Sequence, residues 1–169
     1  MRRVLFATVL AIASPAAAQT CMIDFTIEVT QGVGSIPIGS LLPGSALFTA
    51  SGQTIRQENG STGHLAMGHM TIGDNITGQI WTVIITSRGQ VADLIGIYAN
   101  QVEGLSFAGV DFEGPMALTL FGAPGTRQTA HTPTTQAEWD DMNMRRAFSL
   151  HGFSDMLAGD VVALTAECR

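Results

Sequence analysis

The chain has 169 residues, of which 46% are hydrophobic and only 13% charged, and its formal net charge is −6. That length fits one domain with a sizeable core, and so low a charge density excludes disorder by self-repulsion. With no lysine and eight arginines against fourteen acids, it cannot assemble the cationic face that nucleic acid requires.

Arg2 and Arg3 precede an almost wholly apolar run from Val4 to Ala13, and Ala16-Ala17-Ala18 supplies small residues before Gln19. This is the pattern of a secretory signal peptide, so residues 1–18 are expected to be a leader and 19–169 a single β-domain. The apolar run is half of the ~20 residues a spanning helix needs, and no later stretch is longer. Export to a bacterial periplasm or to the cell exterior is the expectation, with no membrane span after processing. Removal of Arg2 and Arg3 leaves six arginines against the fourteen acids, a charge of −8.

Cys21 and Cys168 are the only cysteines and stand at the two ends of the processed chain. An oxidising compartment would close them into a disulfide. From Ile23 to Thr30 apolar residues alternate with polar ones, which predicts a strand with Ile23, Phe25, Ile27 and Val29 on one face and Cys21 in the same parity. Val162, Leu164 and Ala166 carry the same beat toward Cys168, from a strand expected to begin near Asp160. The rival reading, lipidation of Cys21, needs a small residue at −1 and usually leucine at −3, where Thr20 and Ala18 stand.

Short strand signals follow one another between these ends. A Gly/Pro-rich connection covers 32–43, a weak strand 45–50 and a polar loop 51–63. Strands at 64–72 and 76–86 flank Gly73-Asp74-Asn75, and the second is apolar on both faces from Ile80 to Ile85, as a central strand would be. Further strands are predicted at 91–98, 105–110, 116–121 and 144–151, the last with Met144, Phe148 and Leu150 inward. Thr135-Gln136-Ala137-Glu138 is a capping box that starts one short helix near 135–143. The fold class is therefore all-β: an antiparallel β-sandwich or flattened barrel of eight or nine strands.

No motif specifies an active site. His64 and His69 have opposite strand parity, and His131 and His151 lie far from them in sequence, so no zinc spacing exists. Gly104-Leu105-Ser106-Phe107-Ala108 lacks the last glycine of a nucleophile elbow, and Ser149, His151 and Arg145 read as a solvated strand face. Asp111 and Glu113, with Glu138, Asp140 and Asp141, could supply oxygen ligands to calcium, but without the spaced register of a calcium loop; as a glycosidase pair the two groups would have to meet. Asn59-Gly60-Ser61 and Asn75-Ile76-Thr77 match glycosylation sites and read as turns. No cofactor is expected.

From Phe25 onward the layout resembles the small β-sandwich of secreted bacterial proteins of the PEP-CTERM type. The resemblance is carried by Gly39 to Thr49, Met116 to Leu120, Trp139 with Met142, Phe148-Ser149-Leu150 and Gly159 to Leu164. It implies a sandwich without assigned catalytic residues. The Pro-Glu-Pro tail is not among these residues, so the sorting role does not carry over.

The residues favour a non-catalytic binding or structural domain whose partner is a protein, a glycan or a small apolar ligand. A carrier is the alternative, with Met67, Met70, Trp81, Phe107, Phe112 and Phe121 as interior lining. A secreted hydrolase built on the acidic residues is the second alternative. A binding domain would expose an apolar or aromatic patch at loops 51–63 or 122–133.

Overall fold

The computed structural model describes residues 18–73, 76–103 and 109–169. Eight antiparallel strands form a closed barrel: β1 (Gln19–Gln31), β2 (Leu41–Arg56), β3 (Thr62–Ile72), β4 (Ile76–Thr86), β5 (Asp93–Glu103), β6 (Phe112–Gly122), β7 (Arg145–Gly152) and β8 (Met156–Cys168). Each strand pairs with its neighbour in sequence, and β8 returns to β1. Of the two all-β architectures the sequence allows, the barrel is the one formed. It has no central strand.

The alternation read in β1 holds: Cys21, Ile23, Phe25, Ile27 and Val29 are all buried. Ile95 and Ile97 of β5, Leu118 and Leu120 of β6, and Phe148 and Leu150 of β7 fill the interior from the opposite wall. A barrel of eight strands is just wide enough for such side chains to pack solid. On β5 the outward ring of Tyr98 lies where a Cβ on Gly96 would stand, 2.5 Å from its Cε2, so the glycine makes room for the aromatic cover.

Two departures from the predicted strands share one cause. Val162 is half exposed, and Val161 is buried in its place, because the β1–β8 register passes from Thr26↔Ala163 directly to Ile27↔Val161. This bulge reverses the parity of β8, so Val161 on one side of it and Leu164 on the other both point inward. In β2 the register passes from Ala50↔Ala66 to Thr54↔His64, which places Ser51, Gly52 and Gln53 opposite Leu65 alone. The polar stretch from Ser51 was expected to be loop and is instead the second half of a bulged strand.

Met144 faces solvent rather than the core, since β7 begins only at Arg145. β8 begins at Met156, ahead of the expected Asp160. The strand expected at 105–110 and the leader lie outside the described residues, save for Gly109 in a turn, Val110, which forms an isolated bridge, and Ala18. Asn59 Oδ1 accepts bonds from the backbone N–H and hydroxyl of Ser61, at 3.0 and 2.6 Å, which makes Asn59-Gly60-Ser61 a turn, as read.

Candidate functional site

Because the strands run up and down, the ends of β1 and β8, the β2–β3 and β4–β5 turns and the long β6–β7 connection gather at one end of the barrel. Here Cys21 and Cys168 are directly opposed with Cα atoms 4.1 Å apart, and they form the disulfide. Thr20 and Arg169 beside them exchange both backbone bonds (3.0 and 2.8 Å). The cysteines therefore occupy the adjoining non-hydrogen-bonded pair, where side chains come closest. The covalent link sits on the seam that closes the barrel.

The connection 123–144 folds over this end as a plug. Its helix α1 (Gln136–Asp140) is started by the predicted capping box: Thr135 accepts from the Glu138 N–H, and the Glu138 carboxylate accepts from Thr135 and Thr134 N–H at 3.1 and 2.8 Å. Trp139 and Met142 are fully buried in the mouth of the barrel. Arg146 of β7 donates to the carbonyls of Met142 (3.0 Å) and Trp139 (3.2 Å), satisfying the free end of the helix. The Gln136 amide donates to Leu164 O (3.3 Å) and accepts from Ala166 N–H (2.6 Å).

An ion network holds the plug down. The fully buried Asp93 accepts from the backbone N–H of Gly89 (2.7 Å) and of Arg127 (2.6 Å). Arg127, itself 5% exposed, reaches Glu138 at 3.9 Å and donates to the carbonyl of His131. Burial pulls the Arg127 guanidinium below its ordinary value, while the charges of Glu138 and Asp93 work the other way. Burial pushes the Glu138 carboxyl upward, but the donors of Thr134 and Thr135, together with Arg127, outweigh it and hold the group below its ordinary value. Arg127 Nε and Trp139 Nε1 are buried without a partner among the described residues.

Beside the plug lies a cavity of about 210 Å³ lined by Gln19, Ser51, Thr54, His64, His131 and Thr132. The β2 bulge opens it. His64 is 6% exposed, and its Nε2 lies 2.6 Å from the carbonyl oxygen of Ala130. Strand parity relates His64 only to its neighbour His69. His64 of β3 meets the plug backbone at Ala130 and shares a cavity lining with His131, a proximity that no local spacing encodes.

The outer wall of β1 to β4 carries an apolar face. Met22 pairs with Leu47, whose partner on β3 is the exposed His69, and Met67, paired with Thr49, lies diagonally across from Leu47. Leu65 pairs with Thr82, and the register gap before Gly68↔Ile80 sets Met67 against Trp81. Met67 is 80% exposed and Trp81 47%. This apolar face lies on strands β1 to β4 and not at the loops 51–63 or 122–133, where a binding domain is expected to carry its patch.

Of the five described residues among the six considered as carrier lining, only Met70 is fully buried in the interior, and Phe112 packs against the core half-buried. Met67 and Trp81 face out because bulged, outward positions carry them, Phe121 lies on the outer surface beside Ala117 and Thr119, and Phe112 is half-buried where β6 begins. Phe107 lies outside the described residues. Asp111 and Glu113 stand where β6 begins, whereas Glu138, Asp140 and Asp141 follow its far end. β6 has 11 residues, roughly 35 Å of strand, so the two acidic groups do not meet. Among the described residues no three potential metal ligands of the His, Cys, Asp and Glu types converge. Comparisons with protein-family models, with curated proteins and with solved structures find no match for this chain.

Proposed function

We propose that this chain is an exported, non-catalytic binding module that docks an apolar, neutral or basic surface of another protein on the outer wall of β1 to β4. The observation that carries the reading is the contiguous face of Met22, Leu47, Leu65, Met67 and Trp81 on a barrel whose interior is filled by its own side chains. Scattered single apolar residues need no explanation on a protein surface, but a contiguous group does. Methionine and tryptophan suit it to protein contact: the thioether adapts to irregular partners, and the indole contributes a large rigid area.

Charge narrows the partner. Arg56, at the end of β2, is the only arginine on these four strands, while Asp24 and Glu28 project from β1. An acidic partner would find Arg56 alone as a counter-charge on these strands, and the processed chain at −8 would repel it. Export rests on the leader read at 1–18, whose residues 1–17 lie outside the described ones. The disulfide supports an oxidising compartment. A spanning barrel is opposed by the pattern of the wall, apolar inside and largely polar outside, the reverse of what lipid selects.

The test is site-specific photo-crosslinking in producing cells, with the crosslinker at position 67 and a control at Ala147 on the opposite outer wall. A discrete adduct from position 67, absent from 147 and abolished by Trp81→Ser, is the expected result. Equal adducts from both positions, none from either, or an adduct of twice the chain mass would overturn it.

A further inference from the structure

We propose that the cavity at the plugged end is a binding site for a late first-row divalent metal ion, copper(II) above all, with His64 and His131 as its protein ligands. His64 and His131 both line one cavity of about 210 Å³ although β3 carries one and the plug the other. The sequence separates them too far for any ligand motif to reveal.

The decisive feature is how His64 is held. Its Nε2 lies 2.6 Å from the Ala130 carbonyl oxygen, which can only accept, so Nε2 carries the proton and donates. A neutral imidazole fixed in that way has its lone pair on Nδ1. A ligating histidine characteristically donates its other ring N–H to a backbone carbonyl, which sets tautomer and ring orientation. His64 has that outer bond already formed, in a residue 6% exposed on the wall of a cavity.

The rest of the cavity fits the same use. His131 follows Ala130 directly, and its carbonyl is anchored by the Arg127 guanidinium, so the backbone beneath the second imidazole is fixed by the ion network. The exposed His131 can turn onto an ion without unpacking the core. Ser51, Thr54 and Thr132 line the same space, and their hydroxyl-bearing side chains are of the type that hydrogen-bonds the waters completing a coordination shell. The three-residue bulge in β2 makes the opening, and bulges of this sort re-aim side chains at functional rims. Imidazole donors with open positions suit copper(II) and zinc, and copper(II) binds the tighter of the two.

The experiment uses the processed chain with its disulfide formed and titrates copper(II) chloride, then zinc chloride, against a competing chelator. The proposal expects about one equivalent of copper(II) bound more tightly than zinc, with nitrogen superhyperfine splitting from two imidazoles in the paramagnetic resonance spectrum. His131→Gln, whose wild-type side chain is exposed, should weaken binding by ~10-fold or more and reduce the splitting to one imidazole. His69→Gln and His151→Gln should leave the affinity within about twofold. His64→Gln should also weaken binding, provided its circular dichroism matches wild type. Undiminished affinity in His131→Gln, equal losses in the His69 or His151 variants, or a spectrum without imidazole nitrogen would overturn the proposal. Because the docking face lies on the outer wall, crosslinking at position 67 can fail while copper binding succeeds, and the reverse.

Discussion

The side-chain amide of Gln136 pairs with the backbone of β8 at Leu164 O and Ala166 N–H, in the place where β7 would otherwise continue. The β7–β8 ladder spans only Ala147↔Asp160 to His151↔Met156, so the lower half of β8 has no strand on that side. One amide, with a donor and an acceptor, substitutes for a peptide of the missing strand. Gln136→Ala should destabilise by about 1–3 kcal/mol, the usual consequence of leaving part-buried backbone groups unpaired. Denaturant unfolding and amide exchange at Ala166 measure it. An unchanged midpoint together with unchanged exchange would contradict the assignment.

The disulfide spans 147 residues of chain. In the chain-entropy account such a loop stabilises by up to about 5 kcal/mol, with strain and denatured-state structure subtracting from that figure. The double variant Cys21→Ser/Cys168→Ser should lower the urea midpoint markedly. Reductant should lower the wild-type midpoint to about the same value and leave the variant unmoved. A wild-type midpoint insensitive to reductant would mean that the seam is held by the β1–β8 ladder alone.

Gly159 lies in that seam, where an added Cβ would run into Ile27 Cγ2 and the Glu28 carbonyl of β1. The obstruction is largely backbone, which cannot rotate away as a side chain does. Gly159→Ala should cost about 1–3 kcal/mol by overpacking. Gly60→Ala meets no atom within 4 Å but sits at φ +84°, so its smaller loss would come from backbone conformation alone. Thermal unfolding of the two variants separates these causes. Equal stability of Gly159→Ala and wild type would contradict the close approach of the strands.

Acid should loosen the plug before it unfolds the barrel. Burial pushes the Glu138 carboxyl up, but the Thr134 and Thr135 donors and the Arg127 charge prevail and hold it below its ordinary value of 4.5. A depressed folded value means that this group stabilises the fold above its unfolded value, and that the contribution disappears as pH falls through the folded one. The wild type should therefore lose stability as pH drops below about 4.5, the unfolded reference value. Glu138→Gln should be less stable at neutral pH and fall less steeply over the same range. Parallel pH–stability curves would contradict the role given to Glu138.

Local signals made much of this fold legible, and nonlocal ones hid the rest. The alternation of Ile23 to Val29 and the spacing of Thr135 to Glu138 are patterns within a few residues, and the strand and the capped helix follow them. The terminal cysteines were readable because both fall on inward parity. Where a bulge inserts extra residues the two-residue beat breaks, so the pattern from Ser51 to Arg56 reads as loop and that of Val162 as buried. The pairing of His64 with the plug spans 66 residues at Ala130, and nothing in either segment announces the other. Trp81, on an outward position of β4, passes for interior lining in the sequence because an apolar interior face and an apolar outer face have the same composition.

The two tryptophans report on opposite sides of the wall, Trp81 about half exposed and Trp139 fully buried. Acrylamide should quench the emission of Trp139→Phe, which retains Trp81, several-fold more than that of Trp81→Phe. Similar quenching of the two would place both indoles in one environment and contradict the inside and outside assigned to them.

Native mass spectrometry of the protein recovered from the cell envelope tests the central idea most directly, namely a solid barrel, locked at its seam, that works through its outside. The account predicts the mass of residues 19–169 less two hydrogens, with no small apolar molecule retained under gentle ionisation. A stoichiometric apolar ligand carried within the protein, or two free thiols, would contradict it.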